Sequence, residues 1–282
     1  MADRRVGDLL TAPKGLQLLD LISQCQAADL TDNDLSGLLP QLDFHVTRYR
    51  GDYEATVEAL KSRAPQLSRL AEWLPGRMAH WWDDLDRKKQ IWVGRSPDPP
   101  VVDQMIVDLT PFGSETPKPK RAFWTSTFVP VLVSPWLHTP EDQFSGPYYT
   151  WEVAVTDSAR VLEIHSRDAW SAVASSYPRA EAGFTYTTTP HRPQSAARLD
   201  PDWSELSRDW DGVHLSIGGW LTAEDVPLES DGVKTELRGW DLESTVWFRW
   251  SFSSVKRVET MENANACQPA INPPQHAGAA RG

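Results

Sequence analysis

The side chains able to do chemistry in this chain gather in three stretches. IWVGRSPDPP (91–100) is a strand-like run that carries Gly94-Arg95 at its end. RAFWTSTF (121–128) places the hydroxyls of Thr125, Ser126 and Thr127 directly after two aromatics, Phe123 and Trp124. WDGVHLS (210–216) is followed later by ESTVWFRWSFSSVKRV (243–258), which opens with Glu243. A second grouping is acidic: Asp103, Asp108, Glu163 and Asp211 would suit a hydrolase or nuclease that gathers carboxylates around a divalent cation. The chain has no Gly-Lys-Ser/Thr phosphate loop, no GxGxxG after a strand, no GxSxG elbow and no HExxH helix. His165 and His214 fall on strands, where a satisfied core or edge histidine is the plainer reading. His45, His80, His138, His191 and His276 have no obvious companions.

The elements that must position these residues divide the chain near position 88. Residues 1–87 read as helices. QLLDLISQCQAADL (17–30) has apolar residues at the spacing of one helix face. TDNDLSGLLPQL follows, with Thr31 or Asp32 as N-cap and Pro40 as a stop. The stretch 52–74 is a further helix, with Pro65 as a kink or break. Residues 88–258 are mixed: strands at 90–94, 122–128, 150–155, 159–165, 213–217 and 243–252, and a helix at 166–178 capped by Ser166 and stopped by Pro178. Another helix is expected over 200–210, with Asp200 as N-cap and Pro201 at its first position. A polar loop spans about 180–200, and the Asn/Pro/Ala/Gly-rich stretch 259–282 reads as a disordered tail. The fold class expected is α+β: a helical N-terminal region, then a mixed, mainly antiparallel sheet with flanking helices.

Composition narrows the function classes. The net charge is −11, so the broad basic footprint of a phosphate-backbone binder is missing, and KPKR at 118–121 is only a short cluster. The longest apolar runs, such as VPVLV at 129–133, fall far short of a membrane span, and the N-terminus lacks the apolar core of a secretory signal. Cys25 and Cys267 lie in unrelated contexts with no zinc-type spacing and read as free thiols in a cytoplasmic protein, with no metal site. Arg- and Pro-rich, Lys-poor usage points to a GC-rich bacterial or phage genome. Fourteen tryptophans are several times the usual share. They read either as core aromatics or as stacking platforms for a sugar or base.

WVGRS, FWTST, WDGVHL and ESTVWF…SVKRV, in that order, resemble the strand motifs of ADP-ribosyltransferases of the toxin and polymerase lineages. The resemblance covers about residues 90–258 in short blocks. It implies NAD as the substrate that supplies ADP-ribose, with the acceptor unassigned. Breaking the nicotinamide–ribose bond passes through an oxocarbenium-like cation, which a carboxylate beside the ribose stabilises. The resemblance gives that catalytic role to Glu243. It assigns Trp124 to the nicotinamide and Ser126, within the run Thr125–Thr127, to the ribose or the active-site backbone. Arg95 falls to the pyrophosphate, which its planar fork of donors suits. Two positions depart from the pattern: Val93 stands where the family has His or Arg, and Asp241 stands where arginine-modifying members carry Glu or Gln.

The same residues have plainer readings. Glu243 is then a polar strand start, Arg95 a partner of Asp98, Trp124 a core aromatic and Thr125–Thr127 ordinary strand formers. Asp211-Gly212 is a tight turn. On that alternative the chain is a non-enzymatic interaction or ligand-binding protein on a degenerate version of the scaffold. Its protein partner would dock through the N-terminal helices or a Trp-rich face.

Overall fold

The computed structural model describes residues 2–25, 30–39, 42, 53–77, 85–102, 105–111, 118–128, 134, 148–181, 198–230, 233–240 and 242–258. The expected segments 129–133, 182–197 and 259–282, together with Pro40, Asp103, Asp241, Cys267 and the five isolated histidines, lie outside them.

The N-terminal region is helical: α1 (Ala2–Leu9), α2 (Pro13–Gln24), α3 (Asp32–Leu38) and α4 (Tyr53–Arg77). Pro13 starts α2 where its missing N–H costs nothing, and Leu16, Leu19 and Ile22 are buried along one stripe. This helix is shorter than the periodicity predicts, because Cys25 is already extended. Thr31 caps α3 through a reciprocal box with Asp34: the Asp34 N–H donates to Thr31 Oγ1 (3.2 Å) and the Thr31 N–H donates to Asp34 Oδ2 (2.8 Å). Pro65 does not end α4, which runs through both Pro65 and Pro75.

From Gln90 onward the chain builds a seven-stranded sheet. Its strands are β1 (Gln90–Gly94), β4 (Phe123–Thr127), β5 (Tyr149–Val155), β6 (Val161–Ile164), β9 (Gly212–Leu215), β12 (Ser244–Trp247) and β13 (Phe252–Arg257), in the spatial order β13-β5-β1-β4-β12-β9-β6. Only the β6–β9 pair is parallel; the others are antiparallel. Two small sheets accompany it: β2 (Asp108–Pro111) with β3 (Pro119–Arg121), and β10 (Leu228–Ser230), β11 (Val233–Thr235), β8 (Arg198–Pro201) and β7 (Pro178–Glu181). The flanking helices are α5 (Arg167–Ser176), α6 (Trp203–Asp209) and α7 (Ile217–Ala223). The fold is therefore α+β with a mixed, mainly antiparallel sheet. No described helix is long and apolar enough to cross a membrane.

Three local expectations need correction. The run 243–252 is not one strand: β12 ends at Trp247, the Phe248 N–H donates to the Asp211 carbonyl (2.9 Å), and β13 begins at Phe252 on a different part of the sheet. The helix expected from Asp200 starts later. Asp200 and Pro201 pair with Arg179 and Pro178 as strand, and Asp202 is the N-cap, its Oδ1 accepting from Ser204 and Glu205 N–H. Strand β9 stops at Leu215, because Ser216 caps α7 by accepting the Gly219 N–H (3.0 Å). Gly219 is required there: a Cβ would run into the Ile164 carbonyl, so α7 could not sit so close to β6.

Strand alternation sorts the sheet's side chains onto two faces. On one, Val213, Leu215, Val246 and Ile164 join Trp170, Trp203, Trp220, Trp240 and the leucines of α1–α4 in a single apolar cluster. On the other, Phe123, Val153, Val155, Val161, Trp247 and Phe252 form a smaller cluster. Many of the tryptophans thus serve packing. Ring centroids step from Trp170 to Trp203 (6.5 Å), Trp240 (6.0 Å) and Trp124 (5.2 Å). Polar ties also join the N-terminal helices to this region: Asp8 meets Arg167 (3.1 Å), and buried Lys14 pairs with buried Glu224.

Candidate functional site

The register of five neighbouring strands brings polar residues into one row on the face that carries Phe123 and Trp247. Thr245 lies opposite both Thr125 on β4 and His214 on β9, so all three side chains share a face. His214 is in turn opposite Glu163 on β6, and Thr127 opposite Gln90 on β1. Glu243 leads into β12 at the level of Thr127. Residues far apart in sequence therefore become lateral neighbours at one end of the sheet.

Hydrogen bonds connect the row. The Thr127 N–H donates to both Glu243 oxygens (3.1 and 3.0 Å), and Thr127 Oγ1 donates to Oε1 (2.9 Å). His214 Nε2 meets the same Oε1 at 3.0 Å, and Nδ1 meets Glu163 Oε2 at 2.5 Å. On the other side, Gln90 Nε2 donates to Thr127 Oγ1 (3.1 Å) and Gln90 Oε1 accepts from Thr125 Oγ1 (2.8 Å). The Trp247 indole N–H donates to Thr125 Oγ1 (2.9 Å). Only the Glu163 end reaches solvent: its side chain is 31 % exposed, against 2 % for Glu243 and 1 % for His214.

His214 sits between two carboxylates, and this sets its charge. Burial by itself disfavours the imidazolium, but the hydrogen bonds and charges of Glu163 and then Glu243 outweigh it and raise the pKa from 6.5 to about 9. At neutral pH both ring nitrogens therefore donate, and the row carries carboxylate, imidazolium and carboxylate in succession.

The residues singled out by sequence are divided by this geometry. Glu243, Thr127 and Thr125 belong to the row. Ser126 and Trp124 do not, because alternation turns them to the opposite face. Ser126 Oγ pairs there with Ser134 Oγ (2.6 Å), and Trp124 packs edge-on against Trp240 with the Lys118 ammonium 5.6 Å from its ring. Arg95 is exposed beyond the far end of β1, five residues and about 17 Å along the strand from Gln90. The first-strand residue that reaches the β4 hydroxyls is Gln90, which lies outside the WVGRS motif. A cation at that end of β1 is Lys89, whose Nζ lies 3.3 Å from the centre of the Phe128 ring and 4.0 Å from Glu152.

Sequence reasoning placed His214 and Glu163 on strands but did not join them. Their link depends on the parallel pairing of β6 with β9, which leaves no local signature. The carboxylates weighed for a metal site serve separate partners. Asp108 bonds Thr110 and faces Lys120 (3.9 Å), Asp211 lies between Arg160 and Arg249, and Glu163 holds His214. Among the described residues, no group of three or more His, Cys, Asp and Glu could hold a metal ion.

Comparison of the chain with protein-family models, with curated proteins and with solved structures finds no match.

Proposed function

We propose that the chain is an ADP-ribosyltransferase-like protein that consumes NAD at Glu243. One observation carries this reading. The WVG, FWTST, GVHL and STVW parts of the blocks that resemble that family lie on the neighbouring strands β1, β4, β9 and β12, whereas SVKRV falls on β13 at the far edge, and the hydroxyl block grips the carboxylate of the glutamate block.

The chemistry asked of Glu243 is modest and the row suits it. As the C1′–nitrogen bond of NAD breaks, its electron pair leaves with nicotinamide and positive charge develops on the ribose. A carboxylate fixed beforehand by three protein donors stabilises that charge without having to reorganise. The acceptor's nucleophilic atom then bonds to C1′, and its proton passes to a base. Lys89, at Glu243's end of β1, meets Phe128 and Glu152 on the opposite face of the sheet, so this reading assigns no cation to the diphosphate. Turnover requires the covered carboxylate to be opened to the ribose.

That cover favours a second reading. A carboxylate only 2 % exposed and held by three protein donors is also what a structural network looks like. On this reading the scaffold serves a binding protein and the row serves its sheet.

One experiment separates the two. Purified protein is incubated with NAD labelled in its adenylate part, and nicotinamide release and label transfer to protein or nucleic acid are followed beside Glu243→Gln. Turnover that is lost in the folded variant supports the transferase reading. Absence of turnover, together with absence of NAD binding by calorimetry, overturns it and leaves the binding-protein reading.

A further inference from the structure

Glu163 is an unusual place to find the outer end of a buried network. It lies on β6, which is an edge strand of the seven-stranded sheet, and its side chain is the one partly exposed member of the hydrogen-bonded triad. Its Oε2 nevertheless takes up one imidazole nitrogen of His214, while the other nitrogen is committed to Glu243. An imidazole ring is rigid, so fixing Nδ1 fixes the direction of Nε2–H. Parallel register makes the arrangement: Glu163 is directly opposite His214, and His214 is opposite Thr245, two residues after Glu243.

We propose that Glu163 is a positioning residue for Glu243, acting through His214 from the exposed edge of the sheet. This rests on the reading of Glu243 as the reacting carboxylate, and it deepens that reading by extending the site to the edge strand β6. Glu163 supplies the negative charge that keeps both ring nitrogens as donors. His214 then presents one N–H to Glu243 Oε1, where Thr127 Oγ1 also donates. The Thr127 N–H spans both oxygens, so the carboxylate is held from two directions, by β4 and by β9. The charged groups on the imidazole from the strands packed beside it are Glu163 and Glu243, so removing the charge of Glu163 leaves one of two anions. The physical state of the ring also supports the assignment: its charge persists to about pH 9 through these same two partners, against the effect of burial.

The test compares wild type with Glu163→Gln, which keeps an acceptor oxygen for Nδ1–H but removes the charge, and with Glu163→Asp as the conservative variant. The His214 ring nitrogens are followed by NMR from pH 6 to 10, and NAD turnover is measured over the same range. In Glu163→Gln the His214 midpoint is expected to fall by about one pH unit or more, the size of effect an adjacent opposite charge has. The alkaline limb of turnover should move down with it, and Glu163→Asp should restore part of both shifts. A His214 midpoint unchanged in Glu163→Gln overturns the proposal, even where wild type turns over NAD. A shifted midpoint in a protein that never turns over NAD sinks the transferase reading instead, and leaves Glu163 as the group that fixes His214. If Glu163→Gln does not fold, a wild-type His214 that titrates near its ordinary 6.5 overturns the proposal by itself.

Discussion

Raising the pH should remove a defined part of this protein's stability. In the folded protein, burial works against the His214 imidazolium, but Glu163 and Glu243 raise its pKa to about 9, from 6.5. A group whose folded pKa lies above its unfolded value binds its proton more tightly in the native state. Its contribution is therefore complete below about pH 6.5 and is lost as the pH rises through about 9. The shift of about 2.5 units, at 1.36 kcal/mol per unit, corresponds to about 3 kcal/mol. A contribution of that size is a large fraction of the 5–15 kcal/mol typical of folded domains. The assay is equilibrium urea unfolding of wild type and His214→Gln at half-unit steps from pH 6 to 10. Groups unconnected to His214 cancel in the difference between the two proteins. That difference should be constant up to about pH 6.5, then shrink by roughly 3 kcal/mol before levelling off just above pH 9. A difference that stays flat to pH 10 would refute the argument, because His214 would then carry no excess proton affinity in the folded state.

Two further outcomes test a buried ion pair away from this row and a hydroxyl within it. Lys14→Met removes the ammonium opposite the buried Glu224 and over the Trp220 ring, and it should cost about 3–5 kcal/mol by urea unfolding. The double variant Lys14→Met, Glu224→Leu should recover most of that loss if charge burial is the cause. Thr127→Val keeps the β4 backbone bonds to Glu243 but deletes the hydroxyl that donates to Oε1 and accepts from Gln90. It should cost about 1–3 kcal/mol and lower NAD turnover more than NAD binding. Equal losses in both would argue against a role for that hydroxyl in the reacting geometry.

The sequence by itself determined the local elements, because their causes are local. Thr31 and Ser166 announce helix starts with hydroxyls that accept an N–H three residues on, and both do so in the structure. Short strand-like runs located β1, β4, β5, β6 and β9, and the apolar spacing of 166–178 located α5. Glu243 and the hydroxyls of Thr125 and Thr127 were legible as a motif, since chain order is a property of the sequence. What went unread is non-local. Asp200 and Pro201 looked like a helix start until pairing with β7 claimed them. The run 243–252 kept a strand-like pattern throughout, but the Phe248 N–H bonds the Asp211 carbonyl, and β13 crosses to the far edge beside β5.

The site was divided for the same reason. A single strand says that Thr125 and Thr127 share a face and that Trp124 and Ser126 take the other. It does not say which strand lies alongside, or in which direction. Only the tertiary structure put Gln90, Thr127, Glu243, His214 and Glu163 in one row, because each of those contacts crosses between strands distant in sequence. The raised proton affinity of His214 is the physical consequence. Two carboxylates from β6 and the start of β12 converge on a ring that water barely reaches, and no stretch of sequence contains that convergence.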